Sequence, residues 1–421
     1  MQNVNKYITI FKNNTSYSLM KKNFRIAFIS TMMPTPTNLR GPSSLPYQLI
    51  AHRPDGITVD IFTMNQNGVS AEAIDGYSKR MKSQVTIVTP SFFYKICNTF
   101  GLRWLLCRYR RLPFKTLIRL SPSIVSYIND NSDYIWLYPH FLLGVARQFS
   151  RPIIVTGPDS SALYCERCLC DSFAIRSMGF QNIKRVLQRE KLLELCWSSL
   201  HKSMLHFVGE DDYRYFMDCN PRGNAFYLRH PSNMPEGLTP KQYEHTNNKL
   251  SIVITGELNI YTHSDMEIIL GQLCRHSREL NEKYRFTFIG KKWNDIVTAM
   301  MKYGYQVVHK EWVEDYFREL KLHDLQLFPI SVGTGTKGKV LDALCAGIVC
   351  LGSKYAFENI QLIDGVSAYK YEKAQEIGEI LIKIYNERNN LASIATAGHD
   401  VVCKDHAPAV IAKDFFNHFN I

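Results

Sequence analysis

The chain has 421 residues, 45% hydrophobic and 21% charged, a globular composition with length for roughly two to three domains. No apolar run reaches the ~18 to 20 residues that a membrane helix needs, so no membrane-spanning helix is expected. A net charge of +12 and a pI near 9.1 favour anionic partners such as sugar nucleotides, lipid phosphates or membrane surfaces. Nucleic acid is not expected as a partner, because no basic-aromatic RNA signature or zinc-finger spacing accompanies the charge.

Residues 1–23 read as a polar N-terminal tail. They lack the apolar core and small-residue cleavage site of a signal peptide, and Met20 is a second candidate start. Eleven cysteines without an export signal point to a reducing, cytoplasmic compartment. The first apolar strand is Phe24–Ser30. The turn after it carries Arg40, Gly41 and Pro42, and a helix is expected from Ser43. Further strands are expected at Ile57–Thr63, Val85–Val88, Tyr134–Tyr138, Ile153–Thr156 and Met204–Val208, alternating with helical stretches as in parallel α/β folds.

Between Lys95 and Arg119, the residues Arg103, Arg108, Arg110, Arg111, Lys115 and Arg119 interleave with Trp104, Leu105, Leu106, Tyr109 and Phe114. This pattern suits the surface of an anionic bilayer, or else a helix pair with an apolar core and solvated arginines. The fourth strand leads to His140 and the fifth to Asp159. A lone histidine after a strand more often serves structure than catalysis. Cys165, Cys168 and Cys170 include one pair at zinc-ligand spacing, but no second pair completes a four-ligand set, so buried or free thiols are expected. Asp211 and Asp212 fit either a metal or the cap of the following helix.

After Phe226–Leu228, the polar, proline-containing stretch 230–249 reads as an interdomain linker. A second alternating series follows, with strands at Leu250–Thr255, Tyr284–Ile289, Gln306–Val308, Leu325–Phe328 and Ile348–Leu351. An amphipathic helix is expected at Ala407–Phe419. The expected division is therefore 24–228 and 229–403, with a terminal helical segment at 404–421.

The most informative string is Phe328–Ser353. It reads as buried strand, glycine turn, short helix and second buried strand. Gly333 and Gly335 bracket Thr334 where bulky side chains would block close backbone approach. Lys337 opens a helix that Gly347 closes. Val340, Leu341, Leu344 and Cys345 fall on one arc for packing, while Lys339 and Asp342 share the opposite face. Free amides at a helix start, with glycines before it and lysines in its first turn, make a phosphate or diphosphate site. An aspartate one turn further in is placed to accept hydrogen bonds from ribose hydroxyls.

Taken whole, G-x-G-[TS]-x-x-K-V-L-[DE]-A-L-x-A-G resembles the donor-site signature of glycosyltransferase family 4. These are retaining sugar transferases of the GT-B fold, an α/β architecture of two Rossmann-like domains facing across a cleft. The resemblance implies that Lys339 holds the sugar-nucleotide diphosphate and acts on it catalytically, and that Asp342 holds the ribose. Gly333, Thr334, Gly335, Thr336 and Lys337 would complete the donor cradle. Thr334 stands where many members carry a sugar-contacting glutamate. Gly256, in ITGEL, is similar to the family's phosphate-facing glycine, although no basic residue follows it here. Trp312 and Val313 belong to VVHKEWVED, similar to the step that lines the nucleobase. On the N-terminal side, Arg40 and Gly41 resemble a loop facing the donor phosphates, or form a plain strand–helix turn. His140 resembles the histidine beside the reacting sugar, Asp159 a strand-end aspartate in the cleft. The terminal helix is expected to cross back onto the first domain.

The implied activity is retaining transfer of a sugar from a nucleotide-diphosphate sugar to a sugar or lipid-linked glycan acceptor, in polysaccharide or lipid-linked glycan synthesis. The helix start and the two lysines would take the place of a metal ion, so no cofactor is expected. The location implied is cytoplasmic, peripheral on the inner face of the plasma membrane. Two alternatives stay open: a sugar-nucleotide epimerase and a non-catalytic nucleotide-binding module of the same fold.

Overall fold

The computed structural model describes residues 23–36, 43–235, 237–243 and 249–419. Arg40, Gly41 and Pro42, residues 1–22 and part of the 230–249 stretch lie outside them.

Short apolar runs become strands buried on both faces, as parallel sheets covered by helices require. The first sheet comprises β1 Phe24–Ser30, β2 Ile57–Thr63, β3 Val85–Ile87, β4 Tyr134–Tyr138, β5 Ile153–Thr156, β6 Ser203–Phe207 and β7 Ala225–Tyr227. Its order is β3-β2-β1-β4-β5-β6-β7, all parallel, with Ile26 in register with Val59 on one side and Tyr134 on the other. The second sheet comprises β8 Leu250–Thr255, β9 Tyr284–Ile289, β10 Gln306–Lys310, β11 Leu325–Phe328, β12 Val349–Ser353 and β13 Tyr369–Tyr371. Its order is β10-β9-β8-β11-β12-β13, again all parallel.

Both sheets reverse strand order beside their first strand, between β1 and β4 and between β8 and β11. In open parallel sheets the crevice outside the carboxyl ends at such a switch point is where ligands bind. His140 follows β4, Gly256 follows β8, and the 329–337 loop follows β11. Sheet order thus brings Gly256 and the 329–337 loop together although they are far apart in sequence.

The strand β10 runs to Lys310, beyond the expected Val308. His309 Nε2 lies 2.7 Å from the Gly290 carbonyl and the Lys310 ammonium 2.6 Å from Glu319 Oε1, which satisfies these polar residues at a sheet edge. β13 has only three residues, too few to show a period. The helix Leu391–Asp405 continues through residue 404, and the chain turns at His406–Ala407. The last helix, Pro408–Asn417, packs on the first sheet, where Phe415 lies 4.7 Å from the Trp136 ring. The terminal helix therefore belongs to the core of the half it returns to.

In the basic segment, Cys97, Cys107 and Phe114 form a small core. Trp104, Leu105 and Tyr109 do not join it and stay exposed, at 66%, 55% and 87%. Cys165 and Cys168 are buried with Ala174, Ile183 and Val332, while Cys170 is exposed. No described helix is long and apolar enough to cross a membrane.

Candidate functional site

The helix Gly338–Cys345 follows Lys337, and no side chain caps its start. Val340, Leu341, Leu344 and Cys345 are buried as the periodicity requires, and Gly338 and Lys339 at the helix start border open space. Two cavities meet there. One, of about 330 Å³, is walled by Thr255, Asn259, Tyr261, Thr262, Thr334 and Asp159. The other, of about 860 Å³, is walled by Trp312, Glu314, Tyr316, Leu341 and Asp342, with Ser44 and His230 on its far side. Gly338 and Lys339 line both.

Lys339 and Asp342 are the polar groups left over on this wall. Neither side chain has a hydrogen-bond or ion-pair partner among the described residues. Burial of the Lys339 ammonium lowers its pKa, with the Asp342 charge working the other way. Burial pushes the Asp342 carboxyl up to about 7, against the pull of Lys339. The ammonium lies directly over Gly256, where φ is +102° and an added Cβ would overlap Lys339 Nζ. Gly256 is therefore required twice, by its backbone and by its neighbour.

Lys337 is arranged differently. Its ammonium donates to the carbonyls of Thr334 at 2.7 Å and Gly335 at 2.8 Å, and stands 4.0 Å from Glu358. Lys337 lines the smaller cavity together with Lys339, but its ammonium braces the glycine loop, whereas the Lys339 ammonium has no such partner among the described residues.

The loop is clasped from across the cleft. Asp212 accepts from the Ser160 amide at 2.7 Å and the Gly335 amide at 2.9 Å. Gly335 has φ +66°, and a Cβ there would overlap Asp159 Oδ1. Thr336 Oγ1 donates to the Val208 carbonyl at 2.8 Å. Arg167 donates to the Gly333 carbonyl at 2.5 Å and, through both terminal nitrogens, to Glu358 at 2.9 and 2.6 Å. Three carboxylates, Asp212 and Glu358 largely buried and Asp159 open to the cavity, thus share two cations. Burial, then mutual repulsion, raises the pKa of Asp159, and burial raises that of Asp212. Burial likewise lifts Glu358 to about 6, against its bonds to Arg167. No group of three or more His, Cys, Asp or Glu side chains among the described residues is arranged to hold a metal ion. Asp212 is a clasp, which neither the metal nor the capping reading anticipated.

His140 stands beside Gly157, and its Nε2 is 3.8 Å from Glu190. It lines a third cavity in the first half rather than the two at the helix start. Trp312 is 75% exposed on the wall of the larger cavity, whereas Val313 packs against the apolar cluster beneath. Arg167, Glu190, Asn259, Tyr261, Thr262 and Glu358 were not singled out from sequence. Only for Asn259, Tyr261 and Thr262 was there a signal, their place just after Gly256.

No family model matches the sequence, and no curated protein does so either. Solved structures do. The HepE protein of Anabaena in complex with UDP-glucose is similar at TM-score 0.58 and 12% identity, covering 94% of this chain and 100% of that one. Sucrose-phosphate synthase from Thermosynechococcus elongatus is similar at TM-score 0.65 and 10% identity, with 94% and 98% covered. A glycosyltransferase from Rickettsia africae is similar at TM-score 0.61 and 8% identity, with 94% and 98% covered. At such identities the likeness speaks for the fold, and the fold is GT-B: two Rossmann-like parallel-sheet units facing across a cleft.

Proposed function

We propose that this chain transfers a sugar, with retention of anomeric configuration, from a nucleotide-diphosphate sugar to an acceptor hydroxyl. One observation carries the reading: the unpartnered Lys339 ammonium, set over Gly256 at an uncapped helix start, beside the unpartnered Asp342 carboxylate. An ammonium and free amides suit a diphosphate, and a carboxylate one turn along suits vicinal ribose hydroxyls. Trp312 offers a ring face for the base. HepE was solved with UDP-glucose, which makes uridine the first base to test.

In this reading the sugar C1–oxygen bond to the diphosphate breaks as the acceptor oxygen forms its bond to C1 from the same face. The acceptor proton passes to the departing diphosphate. Lys339 and the helix start stabilise the charge that grows there, without a divalent ion. The clasp of Asp212, Arg167 and Glu358 fixes the loop that carries Thr334 toward the donor cavity.

The exposed Trp104, Leu105 and Tyr109, with Arg108, Arg110 and Arg111, support docking on an anionic membrane and a lipid-linked acceptor. The test is turnover of UDP-glucose and other UDP-sugars after treatment with EDTA, followed by product release and NMR of the new linkage. Slow donor cleavage that survives EDTA, with the donor configuration kept, is expected. Activity lost with EDTA and restored by manganese, or an inverted product, would overturn the mechanism.

A further inference from the structure

The helix Phe180–Ser198 buries Ile183, Leu193, Glu194 and Trp197. Among these apolar side chains Glu194 is the exception, at 4% exposed. Its Oε1 accepts from Ser160 Oγ at 2.6 Å, while its Oε2 has no hydrogen-bond partner among the described residues. A half-satisfied carboxyl in the interior is unfavourable for folding, and burial pushes it up to about 7 against the bond from Ser160. An apolar pair at 194 and 160 would serve the fold about as well. Ser160 Oγ also accepts from the Leu163 amide at 3.1 Å, as the cap of the helix Ser161–Cys168. With that lone pair used, the hydroxyl proton points at Glu194, and the two bonds together hold Ser160 in one rotamer.

The neighbours of Ser160 give the buried acid a task. The Ser160 amide donates to Asp212 Oδ1 at 2.7 Å, and Asp212 Oδ2 accepts from the Gly335 amide at 2.9 Å. A continuous set of hydrogen bonds thus runs from Glu194 in the first half to the glycine loop of the second. Its pivot adjoins Asp159, which lines the smaller cavity and rests where a Cβ on Gly335 would stand. Thr334, just before Gly335, is on the same wall, whereas Glu194 is not. In the sugar-transfer reading Asp342, in the larger cavity, takes the ribose, and Lys339, on the wall of both, takes the diphosphate. The smaller cavity is then left for the sugar.

We infer that Glu194 is a positioning residue for the sugar of the donor: through Ser160 and Asp212 it fixes the turn at Gly335 and the direction of Asp159. The inference rests on the sugar-transfer reading, which it deepens by naming what shapes the sugar end of the donor site. Glu194 acts without touching the donor.

The test follows loop protection and donor binding in the full chain. Glu194→Leu keeps the bulk but removes the acceptor, Glu194→Gln keeps an oxygen for Ser160, and Ser160→Ala breaks the same link from its other end. Exchange of the amides at 333–336, measured without ligand, should quicken about tenfold or more in Glu194→Leu and Ser160→Ala. It should stay within about threefold of wild type in Glu194→Gln. UDP, held through Lys339 and Asp342, should bind Glu194→Leu nearly as it binds wild type, whereas UDP-glucose should bind about tenfold more weakly. Loop protection unchanged in both link-breaking variants would overturn the proposal, as would Glu194→Gln exchanging as fast as Glu194→Leu. Equal weakening of UDP and UDP-glucose would also overturn it, since a merely structural defect harms both. A wild type that binds no nucleoside diphosphate would instead remove the donor reading, and the sugar role with it, while the exchange rates would still report the link from Glu194 to the loop.

Discussion

Lys339 and Asp342 sit three residues apart on one helix face but carry different tasks. An ammonium at a leaving diphosphate acts most strongly as charge builds up. Lys339→Ala should therefore cost about 2–4 kcal/mol in the transition state, ~100-fold or more in kcat/KM, measured with saturating acceptor. A ribose contact is much the same before and during reaction, so Asp342→Ala should raise KM for the donor and change kcat little. Asp342 also makes binding pH-dependent. Its carboxyl is pushed up to about 7, so the empty site is largely protonated below that value. A ribose pair donates best to the ionised form, so binding releases a proton and nucleotide affinity rises as pH climbs through about 7. Isothermal titration across that range should show the rise in the wild type and a shallower one in Asp342→Asn. Gly256→Ala should mimic Lys339→Ala in part, because φ of +102° and the nearby ammonium both exclude a Cβ.

The loop from β11 to the 338–345 helix is held by groups that belong to both halves. Arg167 and Glu358 have side chains only 15% and 9% exposed, so removing one partner leaves a buried charge. Arg167→Ala should destabilise the fold by about 3 kcal/mol near neutral pH, by urea unfolding. Glu358 already titrates near 6 with Arg167 in place, and without it the carboxyl takes up its proton at still higher pH. The loss should therefore shrink as pH falls to about 5, where the carboxyl is neutral. A loss independent of pH would mean that Arg167 acts by packing alone. This clasp also marks how far the sequence could be read. The glycine turn, Lys339 and Asp342 were legible because one contiguous strand, turn and helix sets their geometry. Arg167 and Glu358 are 191 residues apart, and Asp212 reaches Gly335 across 123. Such partners meet only through the way the two halves face each other, which no local period encodes. The brace of Lys337 is local, to Thr334 and Gly335, and stayed hidden because the same position in the string also suits a phosphate ligand.

At the scale of the molecule, two parallel sheets with matching switch points explain why Lys339 and Asp342 face open cavities at a sheet's carboxyl end. The strand runs were readable from alternation and the last helix from its amphipathicity, while its return onto the first sheet was implied by the family resemblance alone. β13 and the far end of β10 were not readable, being short or polar at a sheet edge. The exposed aromatic and basic surface around Trp104 should bind anionic liposomes in preference to neutral ones, less so at high salt. Arg108, Arg110 and Arg111 changed together to glutamine should abolish the difference in a sedimentation assay. All of this presupposes a nucleotide-diphosphate site at the start of the 338–345 helix. Calorimetric titration of UDP, then of the other nucleoside diphosphates, into the wild type and Lys339→Ala tests it most directly. One nucleoside diphosphate should bind the wild type at one site per chain and bind the variant at least tenfold more weakly. Failure of every nucleoside diphosphate to bind, or equal binding to both proteins, would contradict it.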